Sequence, residues 1–244
     1  MTNVMYYNHA MRLPPAFKRH AFVAILALLS LPVSALTTAF DYSSVGTGRQ
    51  TAIFAGGCFW TMEVVFEAVN GVERVISGYT GGIWPQPTER QVLYAATGHQ
   101  EAVLVVFQPD SVSYAQLLEV YWRNIDPEDK GGQFCDRGNQ YKSVVFTQDP
   151  TQRRAAIASR NAVARLSGGM DNVQTEVRPA GTFWVAEEHH QDYYRKQPFS
   201  YRYYLERSGR SERLEELWRQ YAGRETASPS GSFLFAFPGS VPTP

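Results

Sequence analysis

The 244-residue chain contains only two cysteines, Cys58 and Cys135. This scarcity excludes a scaffold held by many disulfides, a zinc site of four cysteines and a cysteine-ligated iron–sulfur cluster. The chain also lacks an excess of charge of either sign, because 23 basic residues balance 23 acidic ones. Proteins that bind nucleic acid through its phosphates are normally basic, so binding to nucleic acid is not expected.

Apolar residues are present in sufficient number for a folded protein. The chain is 44% hydrophobic and 14% aromatic, which excludes intrinsic disorder for the bulk of it. Its length suits one sizeable domain, or at most two small ones. No internal repeat is visible.

Residues 1–35 contain no acidic residue and have the pattern of a secretory signal peptide. Three basic residues precede the apolar run 21–31, and residues 33–35, Val-Ser-Ala, are typical of a cleavage site. We therefore expect an exported protein, periplasmic or secreted, with no membrane association after cleavage. Thiols tend to oxidise in such a compartment. Two alternatives stay open, namely an uncleaved N-terminal anchor and a start at Met11.

The mature chain is divided into a predicted linker over 36–48, a folded domain over 49–223 and a disordered, Ser/Pro/Gly-rich tail over 224–244. Periodicity within the domain predicts alternating short strands and helices. The predicted strands are 51–55, 72–79, 102–107, 143–147 and 175–185. The predicted helices are 58–69, the segment capped by Ser113, the segment from Asp149 to Gly168, 187–196 and 211–221. Because strands 72–79 and 102–107 have no intervening helix, the pattern favours an α+β domain with a mixed or antiparallel sheet.

Cys58 stands at a predicted strand-to-helix turn. Gly56 and Gly57 end the strand, and the cysteine opens the helix. A helix N-terminus presents free N–H groups and a partial positive charge, and both stabilise a thiolate. The sequence therefore predicts a reactive thiol with a lowered pKa. The alternative is a buried, inert cysteine.

Two catalytic alternatives fit the residues poorly. A cysteine hydrolase with His190 as the base lacks the residues expected before the cysteine. A zinc deaminase has its first half in His99-Gln100-Glu101, but the cysteine pair of the second half is missing. His189 and His190 also make a poor metal site if helical, since adjacent helix residues point about 100° apart.

Two further interpretations stay open from the residues alone. Cys58 and Cys135 could form a structural disulfide in a non-enzymatic binding module, which an exported setting permits. Alternatively, the thiolate of Cys58 attacks an oxidised sulfur or a peroxide. That chemistry needs an acid for the leaving oxygen, donors that hold this oxygen, and an apolar pocket.

Five motifs occur in a fixed order between about Thr51 and Tyr221. They are Gly57-Cys58-Phe59-Trp60 with Glu63; Gly78-Tyr79-Thr80-Gly81-Gly82; Pro87-Thr88 followed by Thr97-Gly98-His99-Gln100-Glu101; Asp136-Arg137-Gly138-Asn139-Gln140-Tyr141-Lys142-Ser143; and Ala186-Glu187-Glu188-His189-His190-Gln191. In this order they resemble the A-type peptide-methionine sulfoxide reductases. The resemblance implies an α+β fold, a two-layer α/β sandwich with a mixed, mainly antiparallel sheet and a ferredoxin-like core. It also implies reduction of the S epimer of methionine sulfoxide, in proteins and free, without a cofactor or a metal.

The resemblance assigns the chemistry to four residues. Cys58 is the nucleophile that attacks the sulfoxide sulfur and becomes a sulfenic acid. Glu101 is the acid that protonates the sulfoxide oxygen, while Tyr79 and Tyr141 hold that oxygen by hydrogen bonds. Glu101 also lies where a loop meets an apolar strand, so partial burial is expected to raise its pKa.

Five more residues have implied supporting roles. Phe59 and Trp60 form an apolar wall that receives the S-methyl group of the substrate. Asp136 orders the site through hydrogen bonds. Glu63 and His190 support the residues that touch the substrate.

Regeneration of the enzyme is where the chain departs from many family members. Those proteins carry resolving cysteines in a C-terminal tail, whereas residues 136–244 here contain no cysteine. Cys135 is the possible resolving thiol, although an extended loop would point it away from Asp136. Otherwise an external thiol acts directly, and a thioredoxin-like exported protein is the expected donor. The enzyme is expected to be a monomer.

Overall fold

The computed structural model describes residues 37–225. The predicted signal peptide and residues 226–244 of the predicted tail lie outside the described residues. Between residues 37 and 225, no helix combines the length and the apolar character that crossing a membrane requires.

The described part of the chain alternates strands and helices much as the sequence predicts. The strands are β1 (Thr38–Ala39), β2 (Gln50–Ala55), β3 (Val72–Thr80), β4 (Gln100–Phe107), β5 (Gly132–Gln133), β6 (Asp136–Arg137), β7 (Val144–Thr147), β8 (Glu176–Pro179) and β9 (Trp184–Val185). The helices are α1 (Phe59–Glu67), α2 (Glu89–Tyr94), α3 (Tyr114–Arg123), α4 (Pro150–Ser167), α5 (Tyr193–Lys196), α6 (Pro198–Arg207) and α7 (Arg210–Glu225).

Seven of these strands form one sheet in the order β1-β9-β3-β4-β2-β7-β8. Neighbouring strands are antiparallel except β7 and β8, which are parallel. The predicted mixed, mainly antiparallel sheet is therefore confirmed. Its centre follows the sequence β2-α1-β3-β4-α3-β7 with the spatial order β3-β4-β2-β7, which is the ferredoxin-like arrangement. Strands β5 and β6 form a separate two-stranded hairpin.

Side chains of the central strands alternate between two apolar clusters, one on each face of the sheet. In β2, Phe54 faces the helices, where its ring stacks on Phe66 of α1 at 4.8 Å and on Tyr121 of α3 at 5.1 Å. Ile53 faces the opposite cluster. Strand β4 is buried along its whole length because both of its faces are covered.

Within the predicted linker 36–48, the described residues 37–48 pack against the sheet and include a short strand. Thr38 and Ala39 form β1 and pair with β9, and the Phe40 N–H donates to the Phe183 carbonyl at 2.8 Å. The Phe40 ring also packs edge-on against the Phe183 ring at 6.5 Å. The second face of the sheet is apolar, so it needs a cover, and this segment supplies part of it.

The C-terminal half differs from its prediction in two places. The predicted helix 187–196 is helical only in α5, because residues 187–192 form turns and Asp192 has a φ of +52°. Pro198, expected to follow the last helix turn, instead starts α6, where a proline fits the first helical position. The predicted strand 175–185 is divided into β8, which is one edge strand of the sheet, and β9, which lies next to the opposite edge strand β1.

Asp149 is the N-cap of α4, and substitution can test this role. Its Oδ1 accepts hydrogen bonds from the N–H groups of Thr151, at 2.6 Å, and Gln152, at 2.9 Å. Asp149→Ala is expected to lower the free energy of unfolding by about 1 kcal/mol, because two N–H groups of α4 lose their acceptor. Urea unfolding measures this loss. The matched control Asp149→Asn keeps an acceptor oxygen and should stay within a few tenths of a kcal/mol of the wild type; equal losses in both variants would contradict the capping role.

Candidate active site

Cys58 occupies the turn between β2 and α1, as the sequence predicts. It is the N-cap residue of α1 and only 7% of it is exposed. Gly57 has a φ of +87°, and a Cβ atom there would lie 2.7 Å from the Cβ of Gln133. Glycine is therefore required both by the backbone conformation and by the close approach of the neighbouring hairpin.

The predicted lowering of the Cys58 pKa is wrong. Burial raises the pKa of this thiol well above its ordinary value, and the carboxyls of Glu101 and Asp136 raise it further. Hydrogen bonds from the Trp60 N–H and the Tyr204 hydroxyl act in the opposite direction but are outweighed. The resting sulfur is therefore a buried thiol, and proximity to a helix N-terminus does not make it a thiolate.

Glu101 is a buried carboxyl that acts on the pKa of this thiol. It lies near the start of β4, directly across from Tyr79 in β3, and is 5% exposed. Its Oε2 accepts a hydrogen bond from the Phe59 N–H at 3.1 Å, and Tyr141 also hydrogen-bonds to it. Burial raises the pKa of Glu101 to about 8. The carboxyl therefore holds a proton at neutral pH, as the sequence predicts for an acid.

The two tyrosines differ in what they contact. Tyr141, which is half-buried, lies close enough to Cys58, Glu101 and Asp136 for each of them to raise its pKa. Tyr79 is fully buried, and its hydroxyl donates to Glu187 Oε2 at 3.0 Å. The resting Tyr79 hydroxyl thus has a carboxylate partner inside the protein.

Aromatic rings form one wall beside the thiol. Phe59 is 2% exposed and its ring lies 5.7 Å from the Tyr79 ring. Trp60 is half-buried and stacks on Tyr193, with ring centroids 3.7 Å apart and planes within 6°. The Trp60 indole N–H also donates to His190 Nδ1 at 3.1 Å. These contacts fix the orientation of the indole ring.

His189, His190 and Glu89 bring their ligand atoms within 4.8 Å of one another. The sequence argument that adjacent histidines diverge is wrong, because residues 187–192 form turns and the two rings lie 4.0 Å apart. However, the Trp60 N–H occupies His190 Nδ1, so the neutral ring carries its proton on Nε2. That atom faces Glu89 Oε2 at 3.3 Å. The three side chains therefore form a close polar cluster in which His190 Nε2 makes no hydrogen bond of good geometry to a described residue, and this tautomer offers no Nε2 lone pair to a metal.

Asp136 and Cys135 lie in the β5–β6 hairpin. Asp136 Oδ2 accepts a hydrogen bond of 2.6 Å from the Tyr204 hydroxyl of α6. Cys135 is exposed, and its Sγ lies 3.7 Å from Asp136 Oδ1. The thiols of Cys58 and Cys135 are free and form no structural disulfide.

Glu63 is a buried residue of α1 that contacts the turn carrying His190. It is 1% exposed, and its Oε1 accepts a hydrogen bond from the Asp192 N–H at 3.1 Å. Burial raises the pKa of Glu63 to about 8. The side chain therefore holds the turn that carries His190 against α1.

Sequence reasoning missed Tyr204, Tyr193 and Arg210. Tyr204 lies in α6, a helix that the sequence pattern does not predict, and Tyr193 lies in α5, which is shorter than the predicted helix 187–196. The spacing of Tyr201 and Tyr204 after Pro198 is the sequence signal that indicates α6. Arg210 is 1% exposed and gave no signal in the sequence.

Arg210 stabilises the turn that carries Cys58. Its Nη2 donates to the Gly56 carbonyl at 3.2 Å, and its Nη1 donates to the Asn124 carbonyl at 2.6 Å. The guanidinium also lies over the Phe134 ring, 4.3 Å from its centroid. One buried cation thus joins the Cys58 turn, the end of α3 and the β5–β6 hairpin.

Comparison with known proteins gives one consistent result. The family model described as peptide methionine sulfoxide reductase matches residues 50–222. The peptide methionine sulfoxide reductase MsrA of Bacillus licheniformis is 44% identical over 170 residues, which are 70% of this chain and 94% of that protein. MsrA 2 of Caulobacter vibrioides is 44% identical over 198 residues, which are 81% of this chain and 95% of that protein.

A solved structure agrees with these relatives. Methionine sulfoxide reductase A of Corynebacterium diphtheriae superposes with a TM-score of 0.59 and 32% identity, covering 63% of this chain and 77% of that one. The fold, the thiol site and these similarities lead to the same assignment. The chain belongs to the peptide methionine sulfoxide reductase family and is an oxidoreductase that reduces methionine sulfoxide by thiol chemistry.

Proposed function

We propose that this enzyme reduces the S epimer of methionine sulfoxide, in proteins and free, through a sulfenic acid on Cys58. One observation carries the proposal. Glu101 of β4, a buried carboxyl with a pKa of about 8, accepts a hydrogen bond from the N–H of Phe59, the residue that directly follows the buried Cys58. A proton donor and a sulfur nucleophile are thus held together in a site from which water is largely excluded.

The first step transfers one oxygen atom. The Cys58 sulfur attacks the sulfoxide sulfur, Glu101 protonates the sulfoxide oxygen, and the thiol proton returns to Glu101. The attack forms a transient bond between the two sulfur atoms. This S–S bond and the S–O bond of the substrate then break as the hydroxyl group passes to the Cys58 sulfur, so that methionine and a Cys58 sulfenic acid are the products. Protonation of the oxygen makes the substrate sulfur more electrophilic, which lets a thiol with a raised pKa react.

The tyrosines stabilise the oxygen as it gains charge. Tyr141 already lies beside Glu101, so its hydroxyl is placed to donate to the same oxygen. The Tyr79 hydroxyl reaches the oxygen only after it leaves Glu187 Oε2, its resting acceptor. Substrate binding is therefore coupled to release of one buried hydrogen bond.

The aromatic wall selects the group attached to sulfur. Phe59 and Trp60 present apolar surface next to Cys58, and this surface suits the S-methyl group. His190 holds the Trp60 indole, Glu63 holds the turn carrying His190, and Asp136 anchors the Tyr204 hydroxyl beside the thiol. These residues position the groups that touch the substrate.

The reaction cycle closes with an external thiol. We propose a thioredoxin-like exported protein as the reductant, because the predicted signal over 1–35 places the enzyme in the periplasm or outside the cell. The enzyme acts there as a monomer in the repair of oxidised proteins, without a cofactor, a nucleic acid or a membrane.

Cys58→Ser is expected to release no methionine from the S epimer in the presence of excess dithiothreitol, because the serine hydroxyl cannot replace the sulfur nucleophile. Chromatographic measurement of methionine checks this. The R epimer is the control substrate. With the wild-type enzyme it should yield less than a hundredth of the methionine that the S epimer yields. Release from the serine variant, or equal rates for both epimers, would contradict the assignment.

Glu101→Gln is expected to slow single-turnover methionine release by about a hundredfold or more, since the amide cannot supply a proton. For the wild type, the required form is the protonated one, and burial raises the pKa of Glu101 to about 8. The rate should therefore be retained below this pKa and fall as the pH rises through about 8. Rapid-quench measurements between pH 6 and 10 test the profile. A glutamine variant with the wild-type rate and pH profile would remove Glu101 from the role of acid.

Export of the protein and cleavage of the predicted signal peptide can be tested separately. When the full chain is expressed in a Gram-negative host, the protein recovered from the periplasm should begin at Leu36, because residues 33–35 form the predicted cleavage site. Intact mass and N-terminal sequencing measure this. Protein that keeps residues 1–35 in the membrane fraction would instead support an uncleaved anchor.

A further inference from the structure

The cluster of Glu89, His189 and His190 contains three metal-binding atoms that the proposed reaction does not use. One carboxylate oxygen and two imidazole nitrogens lie within 4.8 Å of one another. Glu89 Oε2 lies 3.3 Å from His190 Nε2 and 3.7 Å from His189 Nε2. In a tetrahedral zinc site with bonds of about 2.0–2.1 Å, neighbouring ligand atoms lie about 3.3–3.4 Å apart. The cluster therefore has close to the spacing of three zinc ligands.

His190 Nε2 lacks the partner that a buried polar atom normally has. His190 is 3% exposed, and this atom makes no hydrogen bond of good geometry to a described residue. It lies on the side of the ring that faces the Glu89 carboxylate. Burial of an unpaired polar atom is unfavourable. The atom therefore indicates a ligand that the described side chains do not supply.

The two backbone segments that carry these side chains are fixed against each other by Glu187. Its Oε1 accepts a hydrogen bond of 2.9 Å from the Glu89 N–H, and its carbonyl accepts one of 2.9 Å from the His190 N–H. The Gln191 side chain then joins the same turn to the Ser77 backbone in β3 by hydrogen bonds of 2.9 and 3.0 Å. Ligands that are already in place favour metal binding, and these contacts hold them there.

Glu89 brings a negative charge to the cluster. Within the described part of the chain, its carboxylate has His189 and His190 as ion-pair partners but no lysine or arginine. The neighbouring Glu188, by contrast, pairs with Lys196 Nζ at 2.7 Å. Two imidazoles and one carboxylate suit Zn²⁺, whereas Mg²⁺ prefers oxygen ligands. The ligand set therefore selects zinc over magnesium.

We propose that Glu89, His189 and His190 bind a zinc ion, and that this ion inhibits the enzyme. Coordination needs a lone pair on His190 Nε2, but the resting ring carries its proton there because Nδ1 accepts the Trp60 N–H. The proton therefore moves from Nε2 to Nδ1 as the zinc–nitrogen bond forms, and the Trp60 N–H loses its acceptor. Water takes the fourth position on the ion. Zinc acts here as an inhibitor and not as a cofactor.

Loss of this hydrogen bond affects the wall that receives the substrate. The indole of Trp60 stacks on Tyr193, but the contact with His190 is the hydrogen bond that sets its orientation. The His190 ring also lies 5.1 Å from the Phe59 ring. Zinc and substrate binding are therefore coupled, and each weakens the other. This coupling rests on the role of Trp60 in the proposed function, whereas zinc binding itself does not.

Calorimetric titration with ZnCl₂ tests the site. The protein is purified without a histidine tag and carries Cys58→Ser and Cys135→Ser, because thiolates also bind zinc. One zinc ion per chain should bind at the cluster, and MgCl₂ should give no heat of binding. Adding His189→Ala should weaken zinc binding about a hundredfold, and adding Glu89→Gln about tenfold or more. Glu188→Gln, which changes an exposed carboxyl of the same turn, is the matched control and should keep the affinity.

The indole N–H signal of Trp60 reports the change of partner. In the NMR spectrum of the same protein, this signal is identified by its absence from Trp60→Phe. It should shift when ZnCl₂ is added, because the N–H loses its acceptor. The shift should be absent from the His189→Ala variant at the same zinc concentration.

Single-turnover methionine release without reductant measures the coupling to substrate in protein that retains both cysteines. Saturating zinc should raise the concentration of S-epimer methionine sulfoxide needed for half the maximal rate about tenfold. Each variant is compared with its own zinc-free rate. His189→Ala should remove the zinc effect, while Glu188→Gln should preserve it. Inhibition of equal size in His189→Ala would mean that zinc acts at a thiol, and would overturn the coupling.

The remaining outcomes separate the site from the proposed function. No zinc binding to the thiol-free protein, or equal affinity in the His189→Ala and Glu89→Gln variants, would overturn the site. Zinc binding with an unchanged Trp60 signal would overturn the loss of the indole hydrogen bond. No methionine from folded, zinc-free wild-type protein would contradict the proposed function and leave the calorimetric result unaffected.

Discussion

The hydrogen bond from the Phe59 N–H to Glu101 Oε2 joins the two halves of the site. Phe59 starts α1 directly after Cys58, and Glu101 lies at the start of β4, so this contact sets the position of the acid relative to the nucleophile. The N–H comes from the first turn of a helix, where it has no partner within the helix. The free donor of the helix is therefore used to hold the acid, and the positive end of α1 acts on the carboxyl as well as on the sulfur.

Burial then decides the protonation of both groups. Ionising both a carboxyl and a thiol in the same desolvated pocket is unfavourable, because each negative charge raises the free energy of forming the other. Burial therefore favours the neutral form of both groups in the resting protein. A thiol that stays protonated until substrate arrives is also less exposed to stray oxidants, because the thiolate is the form that oxidises readily.

Local sequence chemistry predicts the parts of this structure that depend on neighbours in the chain. The glycine pair before Cys58, the caps at Ser113 and Asp149, and the apolar strands β2 and β4 are all confirmed. The pKa of Cys58 could not be predicted in this way, because its sign depends on burial by segments far away in sequence. For the same reason the sequence predicts a linker over 36–48, since the apolar face that Phe40 covers exists only after the sheet has formed.

Arg210 has a consequence for the order in which the site is assembled. It is the first residue of α7, near the end of the folded domain, yet its guanidinium holds the Gly56 carbonyl next to Cys58. The turn bearing the nucleophile therefore cannot reach its final geometry while the chain is still being synthesised, because its brace is made more than 150 residues later. An unfinished chain therefore carries Cys58 without this contact, and the hydrogen bond to the Gly56 carbonyl forms only after the last described helix has begun.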